Sequence, residues 1–452
     1  MTMKKIMYSS TNGHPDHLDF KGALLTGQAP DKGLYVPEEI PRLSSETIAG
    51  FKEMSYPEIA FEIIRQYLGD LVPESDIKAI LKDAYDYDVP IEKVYDQKYV
   101  MRLDKGPTLS FKDFAARLMG RLMQYFLRQE GRNMLILTAT SGDTGSAVAH
   151  AFYDLENIQV VVLFPENEVT GRQRKQMTTL GKNVHIMAVD GKFDDCQDIV
   201  KQAFVDPDLK HLNLSSANSI NVGRLIPQSI YYFYAFSRIA PHGEDVLISI
   251  PCGNFGNVMA GLIAMNMGLP VRRFVIATNE NDEFPNFIET GTYKPLHPSK
   301  KCISNAMNVG HPSNLARIFW LYGGQMDENG TVHKMPDIES MRRDLFVISI
   351  TDDETRKTIS EAYNRYDTLL EPHGAVGWAG LQRYLKEVED WMPAVSLETA
   401  DPAKFPEEVV RAVGIEPPLP PSLAKLDRMD ENYDNIEGDY ESFKQCLQNL
   451  FP

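Results

Sequence analysis

Cysteine is scarce in this 452-residue chain, and none of its four cysteines pair at CxxC spacing. This scarcity argues against a disulfide framework and against a zinc site, and it is typical of a reduced compartment. We therefore expect a cytoplasmic location and no metal site. The four residues are Cys196, Cys252, Cys302 and Cys446.

Long apolar runs and an excess of positive charge are also missing. No run of about 18 apolar residues occurs, so no segment is expected to span a membrane, and the start MTMKKIMYSSTNG lacks the apolar core of a signal peptide. The net charge of -17 argues against a binder of nucleic acid or acidic membranes. A site for an anionic ligand must therefore be formed by local groups that overcome the negative electrostatic field of the whole protein.

The chain does have the composition of an ordinary globular protein, with 43% hydrophobic and 24% charged residues. Its length suggests about three domains, although two large ones are possible. Five β-rich apolar runs alternate with helical stretches, which predicts a parallel sheet covered on both faces. These runs are 133–140, 158–165, 184–190, 245–251 and 273–278.

The two ends of the chain have a different pattern. Residues 1 to about 95 hold short helical segments at 58–71 and 75–85, so a small helix-rich region is expected there. Residues 358–385 predict two helices broken at Glu371-Pro372. The amphipathic piece at the C-terminus predicts a helix that docks on the surface.

Two glycine turns repeat the same pattern 111 residues apart. SGDTGSAVA (141–149) and CGNFGNVMA (252–260) each follow an apolar strand and open a helix, with Gly142 matching Gly253. Such turns point N–H groups at an anion, and the helix dipole assists them. Each turn alone is a weak signal, since such turns also simply connect elements. Neither is a Walker A loop or a GxGxxG fingerprint.

Lys112 occupies an unusual place near the start of a predicted helix. Ser110 is the expected N-cap with Asp113 three residues later, so Lys112 would face the positive end of the helix dipole. The cost for a charged lysine is about 0.3–1 kcal/mol. Either the side chain is exposed and the cost is minor, or burial favours the neutral amine.

Three further segments are ambiguous when taken alone. In SSANSINVGRLIPQ (215–228), Arg224 could bind phosphate oxygens, but an N-capped helix with a solvated arginine is the more common arrangement. His373 is more often structural than catalytic in such a context, and Thr399 lies in a turn with no obvious partner.

The order in which the motifs follow one another favours the functional interpretation of these segments. GPTLSFKDFA, TATSGDTGSAVAHAFY, SANSIN with Arg224, PCGNFGN, EPHGAV and TADPAKF follow one another, after a start containing YSSTNG and GLYVPE. Together they resemble the threonine synthase family, in the form with a separate N-terminal domain. The resemblance covers nearly the whole chain. Two departures are minor: Gly374 stands where alanine is also common, and Asp401 where histidine occurs.

The resemblance implies a fold type II pyridoxal-phosphate enzyme, similar to the tryptophan synthase β subunit. The implied α/β fold has two parallel-sheet lobes with a cleft, plus a small helix-rich N-terminal domain. The implied domains are an N-terminal threonine synthase domain at 1–95 and a two-lobed cofactor-binding catalytic domain at 96–385. A C-terminal segment at 386–452 would complete the cofactor lobe and dock on the surface.

The resemblance also implies residue roles. Lys112 would carry the cofactor as a Schiff base, Thr399 would bond the pyridine nitrogen, and Asp143 would lie near the cofactor ring. The cofactor phosphate would be cradled by Gly253, Asn254, Phe255, Gly256 and Asn257. The substrate would be bound by Ser141, Gly142, Thr144, Asn218, Ser219 and Arg224.

The implied activity converts the small molecule O-phospho-L-homoserine and water into L-threonine and phosphate, a step of amino-acid biosynthesis. The two glycine turns and Arg224 are consistent with binding sites for two phosphates, one on the cofactor and one on the substrate. Two alternatives stay open: a related β-eliminating lyase or dehydratase, and a non-catalytic homologue that binds a phosphorylated ligand. The presence of Lys112 argues against the second alternative.

Overall fold

The computed structural model describes residues 5–140, 142–388 and 391–451 of the chain. The N-terminal region joins a three-stranded antiparallel sheet, in the order β2-β1-β3, to four helices. The third helix begins with a capping box, in which Glu58 accepts from the Ser55 N–H, and it buries Ile59 and Ile63. The elements are β1 (Met7–Ser10), β2 (Leu18–Asp19), α1 (Phe20–Thr26), β3 (Tyr35–Pro37), α2 (Ser45–Gly50), α3 (Tyr56–Leu68) and α4 (Glu74–Ala84).

A hairpin and a long central helix connect this region to the first lobe. The hairpin strands are β4 (Ile91–Tyr95) and β5 (Lys98–Arg102), and the helix is α5 (Lys112–Glu130). In α5, Phe114, Leu118 and Leu122 follow helical spacing and are at most 1% exposed. This helix packs against α4 and against helices of the first lobe.

The first lobe alternates strands and helices, as the apolar runs predict. Its elements are β6 (Met134–Ala139), α6 (Asp143–Phe152), β7 (Ile158–Pro165), α7 (Gly171–Thr178), β8 (Val184–Asp190), α8 (Phe193–Val205), β9 (Leu214–Ser215), α9 (Val222–Leu225) and α10 (Ser229–Ile239).

The second lobe continues the alternation and then becomes less regular. Its elements are β10 (Val246–Pro251), α11 (Gly256–Asn266), β11 (Val271–Thr278), α12 (Glu283–Thr290), α13 (Leu315–Leu321), β12 (Gln325–Met326), β13 (Val332–Lys334), α14 (Ile338–Asp344), β14 (Leu345–Ser349), α15 (Asp352–Tyr366), α16 (Pro372–Val388) and β15 (Ala394–Glu398). The predicted break between the helices at 358–385 is confirmed, because α15 ends before Glu371 and α16 begins at Pro372.

The chain ends with α17 (Pro406–Val413), α18 (Pro421–Ala424), β16 (Asp434–Glu437) and α19 (Tyr440–Leu450). The last helix buries Phe443 and Leu447 against α8, as expected for a docked amphipathic helix.

Two sheets form the layers of the two lobes. One has the order β14-β11-β10-β15-β5-β4 and is parallel except for β4, while the other has the order β16-β8-β7-β6-β9 and is entirely parallel. The loops after β6 and β10 leave the carboxyl ends of their strands and lead into α6 and α11. In open parallel sheets, such strand ends are where ligands bind.

The proposed domain boundaries stay predictions. The β4–β5 hairpin crosses the boundary at residue 95, since Ile91 pairs with Met101. The segment from 386 onward contributes β15 to the six-stranded sheet and β16 to the five-stranded sheet. Among the described residues, no helix is both long and apolar enough to cross a membrane.

Candidate active site

One pocket lies where the two lobes meet, at the ends of β6 and β10. Its cavity volume is about 120 Å³, and it is lined from both lobes and from the start of α5. The predicted site residues that line it are Lys112, Asp143, Thr144, Asn218, Ser219, Arg224, Gly253, Asn254, Phe255, Gly256, Asn257 and Thr399.

Among the described residues, one predicted substrate residue, Gly142, is not among those that line the pocket. Gly142 precedes α6 with φ +134°, and a Cβ there would lie 2.6 Å from Gln173 Cδ, so glycine is required for the turn. Ser141 lies outside the described residues.

The helix carrying Lys112 begins differently from the expectation. Lys112 is the first residue of α5, and Phe111 is the N-cap residue without a side-chain cap. The predicted cap at Ser110 is wrong: the Ser110 hydroxyl makes no hydrogen bond with any described group, and its backbone pairs with Ala400 in an isolated bridge. The adjacent Phe111 N–H donates to Thr399 O at 2.9 Å, which ties the helix start to the end of β15.

Lys112 is largely buried, with a side chain that is 12% exposed. Burial lowers the pKa of its amine to about 8, with the nearby cations Lys404 and Arg224 adding to the effect and Asp143 opposing it. The neutral amine is therefore readily available at mildly alkaline pH. The structure therefore agrees with the second interpretation of Lys112, in which burial favours the neutral amine.

Asp143 lies between two amines. Its Oδ1 is 2.5 Å from Lys404 Nζ, and its Oδ2 is 3.9 Å from Lys112 Nζ. Burial by itself raises the pKa of this carboxyl, but Lys404 and Lys112 together hold it below its usual range. Asp143 is therefore an anion buried at the edge of the pocket.

The second glycine turn leads into α11 with its backbone amides uncapped. Phe255 is the N-cap residue, with φ +58°, and no side chain caps the helix. A Cβ on Gly253 would lie 2.9 Å from Ala306 O, so this position has no room for a side chain. The first turn of an uncapped helix offers N–H donors and a positive dipole end to an anion.

Three polar side-chain atoms lining the pocket have no hydrogen-bond partner among the described residues: Arg224 Nε, Asn218 Oδ1 and Asn257 Nδ2. Arg224 is 3% exposed, and its Nη1 donates to Ala217 O at 2.7 Å. Burial lowers its pKa to about 10, so it remains a cation. Orphaned buried polar atoms around one cavity indicate a polar ligand.

Thr399 faces the pocket with a buried acid behind it. Its hydroxyl donates to Glu371 Oε1 at 3.5 Å, and Glu371 Oε2 accepts from His373 Nδ1 at 2.5 Å. Since His373 Nε2 accepts from the Ala306 N–H, the imidazole is the neutral tautomer with its proton on Nδ1. His373 thus lines the pocket in a fixed orientation.

Sequence reasoning did not identify Lys404, Glu371 or Gln173. Lys404 has no exposed side-chain surface, although it lies within the TADPAKF motif that was recognised. The two departures from the family pattern have local explanations. A Cβ on Gly374 would lie 1.5 Å from Glu398 Oε2, and Asp401 accepts from the Ala403 N–H to begin the turn that carries Lys404.

Comparison with known families decides the identity. The model of the family described as "Pyridoxal-phosphate dependent enzyme" matches residues 93–399, that of "Threonine synthase N terminus" matches 7–85, and that of "Threonine synthase, C-terminal" matches 374–447. The chain belongs to the threonine synthase family of pyridoxal-phosphate-dependent enzymes.

Individual relatives of the threonine synthase family agree. The Pseudomonas aeruginosa threonine synthase is 39% identical over 94% of this chain and 94% of its own length. A structure titled PLP-bound threonine synthase from Brucella melitensis has a TM-score of 0.92 and 34% identity, covering 98% of this chain and 99% of the other. The Escherichia coli threonine synthase structure has a TM-score of 0.88 and 33% identity, covering 98% and 100%.

The predictions of family, fold class, enzyme class and cofactor are thereby confirmed. The threonine synthase fold is of type II, with two parallel-sheet lobes and a separate N-terminal region, and its cofactor is pyridoxal phosphate. The roles of individual site residues remain predictions.

Proposed function

We propose that this chain converts O-phospho-L-homoserine and water into L-threonine and phosphate, in the cytoplasm. The observation that carries the proposal is the pocket between the lobes in a chain of the threonine synthase family. A buried lysine amine and an arginine whose Nε has no partner among the described residues line this pocket, together with an uncapped helix N-terminus. The ligand is a small molecule, because the pocket between the lobes has a cavity volume of only about 120 Å³.

The donors that line the pocket fit pyridoxal phosphate. Lys112 supplies an amine for its aldehyde, and the turn from Gly253 to Asn257 supplies backbone donors for its phosphate. The Thr399 hydroxyl and the Asp143 carboxylate would flank its ring. When bound, this cofactor supplies an electron sink that acidifies the proton on the substrate Cα.

Lys112 would move the protons of the reaction. With a pKa of about 8, its Nζ takes a proton from carbon as a neutral amine and returns it as an ammonium. The pocket keeps this amine beside Asp143, a fixed acceptor for its N–H groups.

Arg224 would bind the substrate phosphate. Its Nε lacks a partner and its charge is buried, so a phosphate dianion would satisfy both. The same group would stabilise the charge that develops as phosphate leaves Cγ, before water adds at Cβ. Thr144, Asn218 and Ser219 would hold the substrate carboxylate, together with Ser141 and Gly142.

The decisive experiment incubates the cofactor-loaded enzyme with phosphohomoserine and measures threonine and phosphate. Lys112→Ala should abolish both products and the visible absorbance of the lysine-bound cofactor. Lys175→Ala is the control, because Lys175 pairs with Asp427 away from the pocket. Oxo-acid formation from serine or threonine, with phosphohomoserine inert, would instead support the lyase or dehydratase alternative.

A further inference from the structure

The two oxygens of Asp143 have different surroundings. Oδ1 accepts from Gln173 Nε2 at 2.9 Å and lies 2.5 Å from Lys404 Nζ. Oδ2 faces Lys112 Nζ at 3.9 Å. One oxygen is therefore anchored on the protein side, and the other points to the reactive amine.

The anchor is built from residues with defined orientations. Gln173 Oε1 accepts from the Thr170 hydroxyl and backbone N–H in the capping box of α7, so Nε2 is the atom left to donate to Asp143. Lys404 Nζ also donates to Thr108 O at 3.0 Å, in the loop before α5. Neither Gln173 nor Lys404 is among the residues that line the pocket, so their contacts reach the site through Asp143.

We propose that Lys404 is a positioning residue: with Gln173 it fixes Asp143 so that Oδ2 accepts a hydrogen bond from Lys112 Nζ whenever that amine is released from the cofactor. This inference rests on the proposed role of Lys112. A carboxylate with one oxygen saturated by two donors has little freedom to rotate. An ionised carboxylate also accepts hydrogen bonds only, and the Lys112 amine is a donor within a small movement of it.

Removing Lys404 and removing Asp143 should have opposite effects on the Lys112 proton. Lys404 is a nearby cation that disfavours the ammonium, whereas Asp143 favours it. General disruption of the site would move both variants in the same direction. The charged and titratable groups that face Lys112 are Asp143 from α6, Lys404 from the turn before α17, Arg224 from α9, and Glu371 and His373 at the start of α16, with the Cys252 thiol lining the same pocket.

The test follows the recombination of full-length apoenzyme with pyridoxal phosphate by visible absorbance, as a function of pH. Bond formation requires neutral Lys112, so the midpoint of the rate profile reports the proton on its amine. We expect a midpoint near pH 8 for the wild type. Lys404→Met should raise the midpoint, and each unit of upward shift lowers the rate at a fixed acidic pH about ten-fold. Asp143→Asn should lower it.

Lys175→Met is the matched control, since this lysine lies on α7 near Gln173 but pairs with Asp427. Its midpoint should stay at the wild-type value. If Lys404→Met does not fold, the double variant Lys404→Met/Asp143→Asn replaces it, because it buries no unpaired charge at this position. Its midpoint should lie between those of Asp143→Asn and the wild type, since Asp143 has the larger effect on the Lys112 proton and Lys404 has a smaller, opposite one.

An unchanged midpoint in Lys404→Met would overturn the proposal, as would a shift of Lys404→Met and Asp143→Asn in the same direction. A double variant whose midpoint lies outside the interval between Asp143→Asn and the wild type would also overturn it. The assay contains no phosphohomoserine. Failure of the proposed function would show as a wild-type enzyme that recombines normally and forms no threonine.

Discussion

Arg317 joins the N-terminal region to the loop that lines the pocket. Its replacement tests how much this connection contributes to the free energy of unfolding. The guanidinium is fully buried and donates to Tyr35 O at 3.0 Å, Ser219 O at 3.0 Å, Ile220 O at 2.6 Å and Asn314 Oδ1 at 2.6 Å. All four acceptors are neutral oxygens. The arginine therefore acts as a multiple hydrogen-bond donor between β3, the Ser219–Ile220 segment and α13.

Arg317→Met keeps similar bulk and removes every donor. All four acceptors lose the arginine donor, while Ser219 O keeps a bond from Asn314 Nδ2. A buried acceptor left unsatisfied costs about 1–3 kcal/mol, part of which is offset by no longer burying a charge. We expect the free energy of unfolding to fall by about 3 kcal/mol.

The assay is urea unfolding followed by circular dichroism and tryptophan fluorescence. Arg342→Met is the matched control, because Arg342 also donates to main-chain carbonyls, those of Ile288 and Glu289, but its side chain is 41% exposed. Its loss should cost less than about 1 kcal/mol. As a second readout, Arg317→Met should raise KM for phosphohomoserine, since Ser219 loses an anchor. A stability loss no larger than that of Arg342→Met would refute the reasoning.

Two further predictions concern charge. Arg224→Met should lower kcat/KM for phosphohomoserine about 30-fold or more, corresponding to about 2 kcal/mol for a lost phosphate contact; an unchanged value from steady-state kinetics would exclude that contact. Glu283 is 4% exposed, and burial raises its pKa from the ordinary value of 4.5 to about 7. Its folded state thus binds a proton more tightly, so the stability it contributes below pH 4.5 is lost as the pH rises through 7. Glu283→Gln should therefore raise the urea midpoint relative to wild type at pH 8 more than at pH 5, and an equal difference at both pH values would contradict this.

The sequence by itself determined where the strands around the glycine turns lie and in what order the site motifs follow one another along the chain. The apolar runs at 158–165 and 184–190 are strands with those same bounds. Residues 134–139 and 246–251 are the strands before the two glycine turns, as predicted. These features depend on neighbouring residues, through apolar spacing and the backbone freedom of glycine, so the linear pattern is sufficient to predict them.

Only the tertiary structure decided how charges pair around the pocket. Lys404 and Asp143 meet although 261 residues separate them, and Arg317 reaches Tyr35 across 282 residues. Serine is a common helix-cap residue, yet the backbone of Ser110 pairs with Ala400 and the helix begins at Lys112. Local periodicity contains no information about which distant groups are buried together, and burial with a partner is what sets both the proton affinity of Lys112 and the direction of the Asp143 carboxylate.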